Sequence, residues 1–277
     1  MNLRPTSKLF DLTGQVAVVT GGAGVLCASL CRALANAGVQ VAILDINSQA
    51  ADKLAGEINQ SIGEAIAIEC NVCDKGSINL AAQQIISSFG RVDILINGAG
   101  GNNSQATTSA DLSFFDLPEN ALNWVIDLNL LSTILSAQVF GKFMAKQKKG
   151  IILNISSMNA LRPLTRIPAY SAAKAAVSNF TQWLAVHMAQ VYSPEIRVNA
   201  IAPGFFLTDQ NHYLMIDEAA GKLTDRGQTI IDHTPMKRFG TPEDLEGTVF
   251  WLLSPASTFV TGILIPIDGG FSAFSGV

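Results

Sequence analysis

Short β-branched runs alternate with amphipathic stretches along most of the 277-residue chain. Val16–Thr20 (VAVVT) is apolar throughout, which predicts a strand buried on both faces. Residues 26–37 follow with helical spacing and stop at Gly38, a natural residue just past a helix end. The rhythm then repeats: strand Gln40–Asp45, helix 48–61, strand 65–69, helix 77–89 ended by Gly90, strand 93–96. A long helix over 119–146 precedes strand Gly150–Ile155, a second long helix Pro168–Val191 and a strand over 196–201. Thr241-Pro242-Glu243-Asp244 starts a helix running to about Leu253. It has a Thr cap, Pro in the first turn, and acids at the positive end of the helix dipole. A seventh strand over 263–267 closes the pattern.

Strands alternating with helices predict an α/β doubly wound parallel sheet covered on both faces. No repeat, low-complexity tract or linker divides the chain, so residues 1–277 read as one domain. Two long loops, 98–118 and 203–240, interrupt the rhythm. Both leave the carboxyl ends of strands, where open α/β sheets bind ligands.

Composition narrows the function. Only 14% of residues are charged against 48% hydrophobic, well under the roughly 25% charged of an average domain. That excludes disorder and suggests surface covered by partner subunits. The net charge is −4 with no basic stretch, so nucleic acid is not an expected partner. The start of the chain, with Arg4 and Lys8, lacks the apolar core of a secretory signal. The apolar segment 124–145 contains Asp127, Asn129, Ser132, Ser136, Gln138 and Lys142, too polar for a membrane span. A soluble cytoplasmic protein is expected. Cys27 and Cys31, and Cys70 and Cys73, have spacings that also occur in zinc sites. They fit small buried hydrophobes better, so neither metal nor disulfide is expected.

Candidate chemistry begins at Thr20-Gly21-Gly22-Ala23-Gly24-Val25-Leu26-Cys27. A glycine turn between strand and helix lets backbone approach a pyrophosphate, and the helix start supplies N–H groups. Asp45 ends the second strand 24 positions after Gly21. A carboxylate there binds ribose hydroxyls and repels a 2′-phosphate. With nothing basic beside it, NAD is expected over NADP.

Tyr170 and Lys174 lie four apart on a predicted helix and share one face. An ammonium near a phenol favours the phenolate, so Lys174 is expected to lower the pKa of Tyr170; it can also bond the nicotinamide ribose. Ser157, 13 positions earlier and just past a strand, can bind the reacting oxygen.

These residues, in this order, resemble the short-chain dehydrogenase/reductase family over essentially the whole chain. The markers are the glycine turn at 20–27, Asn97-Gly98-Ala99-Gly100, Asn129, Ser157, Tyr170-Ser171-Ala172-Ala173-Lys174, and Pro203-Gly204 with Thr208. The resemblance implies a Rossmann-like fold with seven parallel strands and a usual tetramer, with the two long helices as contacts. It makes Tyr170 the general acid/base, Ser157 the stabiliser of carbonyl or alkoxide, and Lys174 the modulator of Tyr170. Asn129 would position a relay water, and Thr208 with the backbone near Phe206 would hold the nicotinamide amide. Cofactor contacts would come from Gly21, Gly24, Val25, Leu26, Asp45, Asn71, Val72, Asn97, Gly98, Ala99, Tyr170, Lys174, Pro203, Gly204, Phe206 and Thr208. Val25 and Cys27 stand where the family usually has glycine, and Asn71 where it more often has Asp. Cys27 is expected to push the first helix slightly off the sheet.

The stretches 154–174, 202–211, 233–240 and 268–277 resemble the family's D-mannonate oxidoreductases, which interconvert D-mannonate and D-fructuronate. A sugar acid needs a cation for its carboxylate, and an arginine fork can bind both oxygens. Arg162 and Arg166 lie between Ser157 and Tyr170. Asn102, Asn103, Met158, Asn159, Arg166, Asn211 and His212 are the expected substrate residues, and residues 203–240 are the expected substrate loop. Another polyol, a gluconate-like acid or a 3-oxoacyl thioester is the alternative substrate. A non-catalytic NAD-binding protein is the alternative outside enzymes.

Overall fold

The computed structural model describes residues 5–61, 63–208, 212–217 and 221–276. Seven strands form one sheet: β1 Val16–Thr20, β2 Gln40–Asp45, β3 Glu64–Glu69, β4 Ile94–Asn97, β5 Gly150–Ile155, β6 Ile196–Pro203 and β7 Leu264–Ile267. They lie in the order β3-β2-β1-β4-β5-β6-β7, and every pairing is parallel. This is the doubly wound sheet that the alternation predicts, with the seven parallel strands of the Rossmann-like fold that the family resemblance implies. The strand order reverses between β1 and β4, which opens a crevice at their carboxyl ends.

The helices are α1 Val25–Asn36, α2 Ser48–Asn59, α3 Lys75–Phe89, α4 Glu119–Gln147, α5 Pro168–Val191, α6 Asp225–His233 and α7 Glu246–Leu253. Alternate residues of β1 face opposite layers. Ala17 and Val19 pack with α1, α2 and α7, while Val16 and Val18 pack with α3, α4 and α5. All five β1 residues are buried, which is why that strand carries no polar alternation. Helix starts are fixed locally: Asn47 Oδ1 accepts from Ala50 N–H at 3.1 Å, and Asp74 Oδ1 from Gly76 N–H at 2.8 Å.

The long helix α4 departs from its predicted regularity. Asp127–Leu131 form a π turn between α-helical Glu119–Ile126 and Ser132–Gln147. Apolar spacing does not distinguish one widened turn from a regular one. This run is long and apolar enough to cross a membrane by composition alone, yet half of its most apolar window is buried in the protein. It packs on the sheet through Val139, Phe140 and Met144.

The two long loops carry short elements of their own. Residues 98–118 hold 3-10 turns at Ser104–Ala106 and Phe114–Asp116. Residues 203–240 hold a helical turn, His212–Met215, a two-residue hairpin pairing Ile216–Asp217 with Lys222–Leu223, and α6. The ends of the second loop are clasped: Phe206 bridges Gly240, whose N–H donates to Phe205 O at 2.9 Å.

Candidate active site

A cleft of about 620 Å³ opens over the carboxyl ends of β1, β2, β4, β5 and β6. The β1–α1 turn forms its floor. Gly21 has φ +61°, and a Cβ there would lie 2.7 Å from the Ala99 Cα, so only glycine lets the two turns meet. Gly24 precedes α1 and leaves its first N–H groups open to the cleft. Gly21, Gly24, Val25 and Leu26 line this end.

Asp45 closes the far end. One carboxylate oxygen accepts from Ala23 N–H at 3.0 Å and the other from Asn47 N–H at 2.9 Å. The carboxylate thus joins the glycine turn to the end of β2. Asn71 and Val72 line the same region, with Ile46, Asn47, Ala50 and Cys70, which sequence reading missed. Ile46 is 71% exposed, a large apolar side chain left at the cleft's rim.

The reacting end is built where β5 meets α5. Ser157 begins the turn Met158–Ala160, and its Oγ accepts from Asn159 N–H at 3.2 Å. Tyr170 and Lys174 sit one turn apart at the start of α5, and the Ser157 hydroxyl is close enough to the Tyr170 phenol to influence it. Lys174 Nζ donates to Ile155 O at 2.9 Å and lies 5.6 Å from the centre of the Tyr170 ring. Burial pushes the Lys174 ammonium down to about 8. The Tyr170 phenol is shifted upward, against expectation. Burial raises it, and only the Ser157 hydroxyl opposes this. Loss of hydration outweighs the help of the Ser157 hydroxyl.

Gly98, Ala99, Pro203, Gly204, Phe206 and Thr208 complete the walls. Asn97 is not at the surface of the cleft. It lies beneath it, its Nδ2 donating to Asn154 Oδ1 at 2.8 Å. Asn129 also stands behind the wall. It is fully buried in the π turn, accepts from Gly101 N–H at 3.2 Å and donates to Gly101 O at 2.7 Å and Val125 O at 2.8 Å. It therefore clamps the Gly100–Gly101 loop beside Lys174.

The expected substrate residues scatter. Asn102 is exposed and donates to Thr107 Oγ1, and Asn103 caps the turn Ser104–Ala106. Met158 is 2% exposed. Asn159 is buried and lines a neighbouring cavity with Thr108, Pro168 and Ser171 rather than the cleft itself. Arg166 is exposed, and its carbonyl accepts from Thr108 N–H at 2.9 Å, joining the 98–118 loop to the segment between Ser157 and Tyr170. Arg162 is likewise exposed and donates to Ser272 O at 3.1 Å. His212 starts its helical turn with its N–H on Thr208 O at 2.9 Å. Asn211 lies outside the described residues.

All four cysteines are free thiols. Cys27 lines the cleft, and burial, followed by the Asp45 charge, pushes its thiol up to about 12. That thiol is a space-filler rather than a nucleophile.

A parallel-sheet crevice ending in a Ser, Tyr and Lys cluster defines an oxidoreductase of alcohols and ketones. The family model described as enoyl-(acyl carrier protein) reductase matches residues 13–272, and the chain belongs to this short-chain dehydrogenase/reductase family. An uncharacterized oxidoreductase, UxuB, of Bacillus subtilis is 48% identical over 276 residues, covering 96% of this chain and 98% of that protein. A solved structure from Haemophilus influenzae, described as a "putative D-Mannonate oxidoreductase" with bound NAD, superposes with a TM-score of 0.90 at 49% identity. That match covers 96% of this chain and 98% of the other. The 5-keto-D-gluconate 5-reductase of Escherichia coli K12 is 33% identical over 264 residues, 95% of this chain and 98% of that enzyme.

Proposed function

We propose that this chain uses NAD to interconvert the secondary alcohol and ketone of a sugar acid, D-mannonate and D-fructuronate. The reading rests on one arrangement: Ser157, Tyr170 and Lys174 stand at one end of a cleft whose other end carries the Asp45 carboxylate. Gly21, Gly24, Val25 and Leu26 would hold the pyrophosphate, Asp45 the adenosine ribose, Asn71 and Val72 the adenine. Gly98, Ala99, Pro203, Gly204, Phe206 and Thr208 would hold the rest, with Asn97 supporting from below. Among the described residues lining the cleft, Lys174 is the one basic side chain. Nothing near Asp45 therefore offers a partner to a 2′-phosphate, which favours NAD over NADP.

The bound nicotinamide supplies the hydride chemistry. The protein's own part is positioning and proton transfer. Ser157 holds the substrate oxygen. Tyr170 takes the hydroxyl proton in oxidation and returns it in reduction. Lys174 bonds the nicotinamide ribose and, once the cleft is filled, supports the phenolate. Asn129 fixes the Gly100–Gly101 wall and orders the water through which the proton leaves. Arg166 stands on the loop between Ser157 and Tyr170 and would meet the substrate carboxylate. Asn102, Asn211 and His212, on the loops 98–118 and 203–240, would serve its hydroxyls.

Residues 1–277 would act as one catalytic domain in a cytoplasmic homotetramer. Trp124 and Leu131 on α4 and Trp183 and Val186 on α5 are exposed apolar side chains that subunit contacts would cover.

The test is NADH oxidation with fructuronate, tagaturonate, 5-ketogluconate and an acetoacetyl thioester. The highest kcat/KM is expected for fructuronate. A higher value for 5-ketogluconate or the thioester, with fructuronate at background, replaces the substrate assignment.

A further inference from the structure

Three successive residues at the end of β5 face the start of α5. Ile155 O accepts from Lys174 Nζ at 2.9 Å. Ser156 Oγ lies 3.0 Å from the Lys174 main-chain oxygen. Ser157 stands beside the Tyr170 phenol. The first and third contacts belong to groups with assigned chemistry, and the second does not. Ser156 is 3% exposed, and its own N–H donates to Ile201 O on β6 at 2.8 Å. Its hydroxyl therefore stands on a fixed post within the sheet.

Ser178, one turn along α5, joins the same carbonyl. Its Oγ is 3.0 Å from Lys174 O and 2.8 Å from Ser156 Oγ. Two hydroxyls carry two protons, and three contacts share them. One hydroxyl must donate to the carbonyl and the other to its neighbour's oxygen. Only Ser156 crosses from sheet to helix, since Ser178 and Lys174 belong to the same helix.

We infer that Ser156 is a positioning residue: its hydroxyl pins the Lys174 carbonyl to the β5 end and so sets Tyr170 against Ser157. The inference rests on the acid/base reading of Tyr170. A helix free to slide or turn would carry Tyr170 and Lys174 together away from Ser157, and small misplacements at a reacting centre are costly. The proton accounting adds an asymmetry. Without Ser178, Ser156 still donates to the carbonyl. Without Ser156, the remaining hydroxyl bonds only within α5.

The test compares Ser156→Ala, Ser178→Ala and Ser178→Thr, with Tyr170→Phe as the reference. Ser156→Ala should lower kcat about tenfold. It should also move the pH midpoint of kcat by about half a unit or more, with NADH affinity by fluorescence titration held within about twofold. Ser178→Ala should cost about threefold or less, and Ser178→Thr should match the parent. Equal losses in the two Ala variants, an unmoved pH profile, or a parallel loss of NADH affinity would overturn the role of Ser156. If Ser156→Ala does not fold, a tenfold loss in Ser178→Ala overturns it by itself. A Tyr170→Phe variant that still turns over marks failure of the parent reading instead.

Discussion

The Cys27 thiol is packed against the α-carbon of Gly98. A Cβ on Gly98 would overlap Cys27 Sγ and lie 2.9 Å from Thr20 O. Position 27 carries a sulfur where the family usually has glycine, and that sulfur fills the gap between α1 and the β4 end. Gly98→Ala should therefore destabilise by about 1–3 kcal/mol through overpacking, read as a lower thermal midpoint. Cys27→Gly by itself should cost about 1 kcal/mol as a helix-interior glycine, plus the vacated space. The double variant should be less damaged than the sum, because the two residues touch. Additive losses would show that the contact carries no strain relief.

Asp45 holds Ala23 N–H and Asn47 N–H with separate oxygens. Asp45→Ala should lower kcat/KM with NAD about 10- to 100-fold, the range for bonds to a charged group. The loss with NADP should be smaller. A wild-type enzyme that prefers NADP would remove the assignment of Asp45 as the ribose anchor.

Lys174 gives a pH dependence with a definite sign. Burial lowers its pKa from 10.5 to about 8. Below pH 8 it is charged in both folded and unfolded states, and the full penalty of burying the charge is present. Between pH 8 and 10.5 the unfolded chain binds more protons, so stability gains as pH rises through this window. Lys174→Met should stabilise the cofactor-free protein by up to about 3 kcal/mol at pH 7, and the gain should disappear above about pH 10.5. Urea midpoints at pH 7 and pH 10 measure it; a constant difference would contradict burial as the cause.

Tyr170→Phe keeps the ring and removes the proton carrier. NADH binding should persist while kcat falls by at least about a hundredfold, the usual contribution of a positioned acid or base. Turnover within tenfold of the parent would take the proton role away from Tyr170.

Arg166 tethers the 98–118 loop by its carbonyl and leaves its guanidinium exposed. Arg166→Ala should keep that tether and raise KM for a sugar acid far more than for an uncharged polyol. About tenfold is expected for a lost charged bond. Equal effects on both substrates would mean that Arg166 does not meet the carboxylate.

Much of this was readable before the structure. β1, β2, β5 and α5 have the boundaries that apolar run and helical spacing predict, because both-face burial leaves a continuous apolar signal. Asp45, Ser157, Tyr170 and Lys174 meet in one cleft as their chain positions imply. The misses share a cause: they depend on what neighbours in space do. Asn159 follows Ser157 by two residues, yet the 3-10 turn Met158–Ala160 leaves it lining a different cavity. The direction of the Tyr170 shift depends on burial, which a Y-x3-K spacing does not reveal. Ser156 carries no signal in the sequence, and only the position of Lys174 O gives it a task.

The widened turn at Asp127–Leu131 holds one residue more than an ordinary helical turn would need. Deleting a single amino acid there would return the run to an ordinary helix with its downstream phase kept, so Val139, Phe140 and Met144 would still face the sheet. The loss would be local: Asn129 would no longer hold both the N–H and the carbonyl of Gly101. The irregularity therefore serves the wall of the cleft rather than the packing of the helix, and shortening the run would cost activity more than stability.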